Sequence, residues 1–307
     1  MWKWHQTKKM LYFGTRIALK TKNTKYCMMK SFTRLLAILL VMTATQVSAQ
    51  ENYIVTRIKG KVVNYKTGTS LQAGDILQPE DKVTFDTFDS YVISINQNMG
   101  RYMIKLHEPP APENLQLTAV VKDIAIPTKR RSLMAERYKP EQSEVNDLRE
   151  YFGEERFSVI GDDVEIPIDP ASVKIDDNHF LVFYYRVNNN PVSKKIGYDQ
   201  NTVKIEKDKL LSTSAGVIST DEIPAVSVYL YEPSTRTSDK ITSFDLVFVN
   251  PDELTKEFQT ILPILRKQNM DNNAIKKYLI EYFYDFYGAT DSRSIKNFVD
   301  KLVDASK

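Results

Sequence analysis

His179-Phe180-Leu181-Val182-Phe183-Tyr184-Tyr185-Arg186-Val187 is apolar on both alternating faces. That is the pattern of a strand in the middle of a packed structure, not of one with a solvated side. The run ends at Asn188-Asn189-Asn190-Pro191, a strong turn signal. Shorter strand-like runs flank it. Upstream are Phe157-Ser158-Val159-Ile160, closed by Gly161-Asp162-Asp163, and Val164-Glu165-Ile166-Pro167-Ile168. Downstream are Val203-Lys204-Ile205, then the runs 226–231 and 244–249. So many strands without a long helix between them predict an antiparallel β-sandwich over residues 155–250, of which the immunoglobulin-like arrangement is one form.

After Asn250 the apolar period changes from strand to helix. Pro251 suits a helix start. Leu254, Phe258, Ile261, Leu262 and Leu265 make one stripe, which Pro263 should kink or divide. Asp271 can cap a second helix carrying Ile275, Leu279, Tyr282, Phe283 and Phe286 and stopping at Gly288; Asp291 can cap a third. Residues 251–307 thus predict a small helical bundle or a cap on the sandwich edge. The run Tyr282-Phe283-Tyr284-Asp285-Phe286-Tyr287 places aromatics all round its helix, more than one buried face needs. Some of these rings should meet another domain or a partner, and Tyr282, Tyr284 and Tyr287 are the candidate protein-contacting residues.

Upstream of the sandwich, residues 108–154 read as a connector. They hold a stiff Pro-rich run at 108–113, a short apolar run at 117–121, the basic run Lys129-Arg130-Arg131, and helical spacing of Val145, Leu148 and Phe152. Residues 50–107 carry five short strand-like runs separated by Gly, Asp, Asn or Pro, which predicts a small barrel or sandwich of hairpins. Within it, Gly60-Lys61-Val62, Leu71-Gln72-Ala73-Gly74-Asp75-Ile76-Leu77, Asp81-Lys82-Val83-Thr84 and Ser90 follow one another. This succession resembles the FecR-like β domain of bacterial envelope proteins, with one departure: Glu80-Asp81 stands where that pattern has Gly-Asp. The resemblance implies a small β fold and an envelope setting. Proteins best known for the domain pair it with a membrane helix and a cytoplasmic segment that regulates a sigma factor; neither is evident here, so that role is not carried over. Gly74-Asp75 itself reads as a turn in preference to a cation or substrate site.

Residues Met29–Ala49 have the three parts of a cleavable export signal: Lys30 and Arg34, the apolar stretch 35–42, and Val47-Ser48-Ala49 before a cut at Ala49–Gln50. The apolar stretch is far shorter than the ~20 residues of a membrane-spanning helix. Residues 1–28 extend the charged region beyond the usual length and read as an over-called leader. Nine of the 42 Lys+Arg and none of the 39 Asp+Glu lie within 1–49, leaving 33 basic against 39 acidic side chains and a formal −6, where the full chain has +3. The basic balance therefore belongs to the leader and does not indicate a nucleic-acid partner. Cys27 is the one cysteine, so the remainder is expected to hold together without disulfides or thiolate metal sites.

After residue 49 only His107 and His179 remain as histidines, and neither has a second ligand at metal-binding spacing. Nucleophile-elbow, P-loop and dinucleotide motifs are absent, and no cofactor is expected. Asp162, Asp163, Asp169, Asp176 and Asp177 gather in one stretch, at turn signals between strands. The leading expectation is a non-catalytic exported protein, periplasmic, cell-surface or secreted, that binds an envelope or extracellular protein, or a glycan, with no stable membrane anchor of its own. Alternatives are an exported hydrolase of glycan or peptide using that acidic cluster, and an envelope sensor working through the FecR-like module.

Overall fold

The computed structural model of the chain describes residues 52–107, 117–128, 144–213, 216–219, 223 and 225–306. The expected signal segment with its Ala49–Gln50 junction, the Pro-rich run and Lys129–Arg131 lie outside these residues. The described residues are mainly β, in several sheets, none of them closed into a barrel, with a helical C-terminal end.

The first strands are β1 (Tyr53–Lys59), β2 (Val62–Asn64), β3 (Ile76–Leu77), β4 (Lys82–Phe85), β5 (Tyr91–Asn96) and β6 (Arg101–Ile104). β7 (Thr118–Val120), the short helix α1 (Val121–Ile124) and β8 (Ala125–Pro127) complete the unit. Two sheets result, ordered β3-β1-β5-β6-β8 and β2-β4-β7. Between them lie Val55, Val62, Leu77, Val83, Phe85, Val92 and Ile104. The N-terminal unit is therefore an open sandwich that draws in two strands from the segment read as a connector. Its turns follow from their acids. Asp75 accepts the Gln72 N–H at 2.8 Å and Asp81 accepts the Gln78 N–H at 2.7 Å. Gly74 has φ +96°, whereas Glu80 has no positive φ, so the second turn needs no glycine. Gly60 and Ser90 of the FecR-like pattern touch: a Cβ at Gly60 would lie 2.1 Å from Ser90 Oγ.

The central unit begins with α2 (Leu148–Phe152), β9 (Arg156–Ile160), β10 (Asp163–Pro167), β11 (Phe180–Val187) and β12 (Asn190–Lys195). It continues through β13 (Gly197–Asp199), β14 (Thr202–Glu206), α3 (Lys207–Leu211), the hairpin β15 (Ser212–Thr213) and β16 (Gly216–Val217), β17 (Val226–Glu232) and β18 (Thr237–Val249). With the late strand β19 (Ala289–Thr290), a six-stranded sheet runs β12-β11-β17-β18-β9-β19 and faces a three-stranded sheet β10-β14-β13. Phe152, Phe157, Phe183 and Phe244 fill the space between, with Phe152 and Phe244 stacked at 5.1 Å.

Two expectations change here. The sheet is mixed, because β9 runs parallel to β18 and β19 runs parallel to β9; β9 opens the unit and β18 closes it, and so long a connection permits the parallel return that a hairpin forbids. Moreover, β11 is not packed on both faces. Leu181, Phe183 and Tyr185 are buried in the core, but Phe180, Val182 and Tyr184 face the other way and belong to none of the three cores.

The helices are α4 (Pro251–Lys267), α5 (Asn272–Tyr287) and α6 (Ser292–Ala305). Asn250, Asp271 and Asp291 cap them by accepting N–H groups of their first turns. Pro263 lies on the exposed side, and α4 continues through it undivided. The predicted apolar stripes are buried, but not only against one another. Ile93 and Ile95 of β5 and Val249 of β18 share their core, with Ile54, Met103 and Ile160 beside them. The bundle is thus packed on the outer face of the five-stranded sheet and on one end of the six-stranded sheet. No described helix is long and apolar enough to cross a membrane.

Candidate functional site

The sequence offers two surpluses of aromatic residues, on α5 and on β11, and the structure treats them oppositely. On α5, Tyr282, Tyr284 and Tyr287 are 0, 5 and 7% exposed. They are not a surface for a protein partner; they are spent inside the chain, two of them against another of its own units. Tyr282 hydroxyl lies 2.7 Å from Thr56 Oγ1 of β1 and donates to Glu257 of α4, and Tyr287 hydroxyl donates to the same carboxylate. Arg57 places its guanidinium 4.4 Å from the Tyr287 ring centre and donates to Tyr91 hydroxyl at 2.9 Å.

A β-bulge makes this meeting possible. β1 pairs Val55 with Ser94 and Arg57 with Ile93, so Thr56 is an extra residue. Strict alternation would put Arg57 on the sandwich side with Tyr53 and Val55; the extra residue turns it to the helix side. A second arginine, Arg101 on β6, pairs with Asp285 of α5, reaches Glu281 at 3.4 Å and lies 4.2 Å from the Tyr278 ring centre. At the end of α5, Ser158 of β9 donates to the Tyr287 carbonyl, and Gly288, at φ +84°, allows the close approach of Arg156. Burial raises the Glu257 carboxyl above the ordinary glutamate range; Arg57 and the two phenol hydroxyls pull it back only in part. Burial first and the Glu257 carboxylate second push the Tyr282 and Tyr287 hydroxyls up. These contacts fasten α4 and α5 to the N-terminal sheet. Glu257 is not among the residues singled out from sequence, although its place three residues after Leu254 and four before Ile261, a carboxylate on an apolar stripe, is the signal that marks it.

The acidic cluster of the central unit is spread over separate turns, although Asp176 and Asp177 line one groove together. Asp162 pairs with Lys207, and Asp169 accepts from the Ala171 N–H and the Ser172 hydroxyl. Asp176 accepts the Asn178 N–H and faces His179 Nδ1 at 2.9 Å. The His179 bond leads the effects that hold the Asp176 carboxyl below its ordinary range, and the Ser172 bond does the same for Asp169. Both stay ionised, which suits a turn and not a proton donor. Among the described residues, no group of three or more His, Cys, Asp or Glu is arranged to hold a metal ion.

The open surplus is on β11. Its outward residues pair with those of β17 as Phe180–Tyr231, Val182–Tyr229 and Tyr184–Ser227. The rings meet: Phe180 and Tyr231 at 5.4 Å, Tyr184 and Tyr229 at 6.3 Å. All five apolar side chains are half-buried, and none packs into a core. Cations frame them. Lys195 Nζ lies 4.1 Å from the Phe180 ring centre, and Arg186 Nε donates to Tyr184 hydroxyl at 3.1 Å. Lys240 is the cross-strand partner of Tyr229. Past Phe180 and Lys195 the face runs into a shallow groove of about 590 Å³. Asp176, Asp177, Tyr198, Asn201 and Lys209 also line it. The face thus offers stacking surface, hydroxyls and fixed positive charge side by side. In comparisons with known proteins, no family model and no curated protein matches the chain.

Proposed function

We propose that the chain is an exported, non-catalytic envelope or secreted protein that binds another macromolecule through its central unit, with a FecR-like β domain at its N-terminal end. One observation carries the binding reading: a ladder of five aromatic and apolar side chains on β11 and β17 that belongs to no core and is framed by three cations. Apolar surface left open beside oriented polar groups is what recognition surfaces have in common. The export reading rests on the leader at Met29–Ala49 and on the acidic balance of residues 50–307. The FecR-like reading is supported by the contact of Gly60 with Ser90 and by the paired Asp75 and Asp81 turns.

Cell fractionation with N-terminal sequencing tests it. The expected product begins at Gln50 and is found in the envelope or the medium. A chain retained in the cytosol with its first residues intact overturns the reading.

A further inference from the structure

We infer that the outer face of the six-stranded sheet binds an acidic polysaccharide, its sugar rings lying on the β11–β17 ladder and its carboxylates or sulfates meeting Arg186, Lys195 and Lys240. The inference deepens the proposed function by naming the partner's chemistry, and it rests on that reading for where the two would meet.

Charge is the first argument. The residues sharing the ladder's face are set by strand register. They are Phe180, Val182, Tyr184 and Arg186 on β11; Pro191, Ser193 and Lys195 on β12; Ser227, Tyr229 and Tyr231 on β17; and Ser238, Lys240 and Ser243 on β18. From β12 across to Ser243 this set holds three cations and no carboxylate. Among the described residues, carboxylates stand at its borders: Asp245 beyond Ser243, Glu232 at the end of β17, and Asp176 and Asp177 in the groove lining. Two of the cations are also held in place, Lys195 by the Phe180 ring and Arg186 by the Tyr184 hydroxyl. Less side-chain freedom then remains to be lost when an anion arrives.

Shape is the second. Phe180 and Tyr184 stand four residues apart on one strand, ~13 Å at the usual strand rise. That is longer than one sugar ring and suits a run of them. The C–H face of a pyranose matches an aromatic face, and the tyrosine hydroxyls can exchange hydrogen bonds with sugar hydroxyls. A protein strand adding to the free edge fits less well. That edge is β12, which carries Pro191, Lys194 and Lys195, residues that discourage strand pairing.

Affinity electrophoresis of the full chain in gels containing polygalacturonate, alginate or chondroitin sulfate gives the test, with laminarin as a neutral glucan and oligo(dT) as a nucleic acid. At least one acidic polysaccharide should retard the protein at least tenfold more strongly than laminarin. Tyr184→Ala and Tyr229→Ala should each weaken retardation about tenfold, and Arg186→Gln with Lys240→Gln should weaken it and flatten its salt dependence. Circular dichroism and the unfolding midpoint show whether each variant is folded. A Tyr229→Phe variant, which keeps the ring, should retain most of the binding.

The inference is overturned by no retardation in any acidic gel, by equal retardation in laminarin, by tighter binding to oligo(dT), or by folded ladder variants that bind like the parent chain. A protein that binds but stays unprocessed in the cytosol sinks the export reading alone. An exported protein that does not bind sinks this inference alone.

Discussion

The aromatic run of α5 and the aromatic run of β11 look alike in sequence, each apolar on more sides than a surface element needs. In the fold they part. The rings of α5 are enclosed because residues from elsewhere in the chain come to meet them: Thr56 and Arg57 from β1, Arg101 from β6, Ser158 from β9. Among the described residues, the ring contacts of β11's outward side are with its neighbours on the same sheet. Surplus apolar surface therefore does not say which side of an element is open. That depends on whether another part of the chain supplies matching polar partners. Here Thr56, Arg57, Arg101 and Ser158, all from other units or strands, gather on the helix.

The comparison is most sharply tested at Arg101. Its guanidinium and the Asp285 carboxylate are both nearly out of solvent, at 6 and 4% side-chain exposure. Arg101→Ala takes the guanidinium away from that buried carboxylate, which costs about 3–5 kcal/mol. Urea unfolding should show the loss, and amide exchange in β5 and β6 should quicken as the N-terminal sheet lets go of α5. A cost below ~1 kcal/mol would mean that the arginine does not anchor the junction. The double change Arg101→Met with Asp285→Leu should recover most of the loss, because no lone charge then remains inside.

Glu257 gives a second test, in which sign matters more than size. Its carboxyl is raised, so the folded chain takes up a proton at a pH where the unfolded chain has already lost it. Between the ordinary glutamate range and the raised value, the folded state holds more protons, and stability falls as pH rises. Asp169, Asp176 and Glu232 behave oppositely. Their lowered carboxyls contribute stability that is present above the ordinary range and lost as pH falls through their folded values. A Glu257→Gln variant keeps a hydrogen-bonding group there but cannot titrate. Relative to the parent chain it should gain stability as pH climbs above the ordinary glutamate range, by urea midpoints at successive pH values. A flat difference would show that Glu257 ionises in the folded state as it does in the unfolded one.

Much of the architecture was legible because it rests on local chemistry. The helix caps at Asn250, Asp271 and Asp291, the stop at Gly288 and the Asp75 turn each depend on residues within a few positions of one another. What was not legible depends on long-range pairing. No local pattern marks the bulge at Thr56, yet it moves Arg57 from one face of β1 to the other and thereby closes the junction. The parallel return of β9 beside β18 links residues almost ninety apart in the chain. The open face of β11 was not legible, because its double-sided apolarity reads as packing on both sides. The double-faced apolarity of β11 was plain in sequence, but which face stayed open was decided by where the helices came to rest, at Val247 and Val249 and not at Tyr229.

The smallest expected effect is the one that separates the two runs most cleanly. If the outward rings of β11 and β17 do no structural duty, removing them should scarcely change the stability of the chain. Tyr184 and Tyr229 meet edge to face across the strand pair, an interaction of a kind that contributes roughly 0.2–1 kcal/mol. Tyr184→Ser and Tyr229→Ser should each cost about 1 kcal/mol or less, and the pair together less than the sum, since either change already ends the contact. Tyr282→Ser on α5 removes a wholly enclosed ring and leaves Thr56 and Glu257 short of a partner; its cost should reach about 3–5 kcal/mol. Urea midpoints of the three variants, measured side by side, compare a ring the fold requires with rings it can lose. Equal costs on α5 and β11 would mean that the open face is held for packing, and the case for a ligand there would lose its footing.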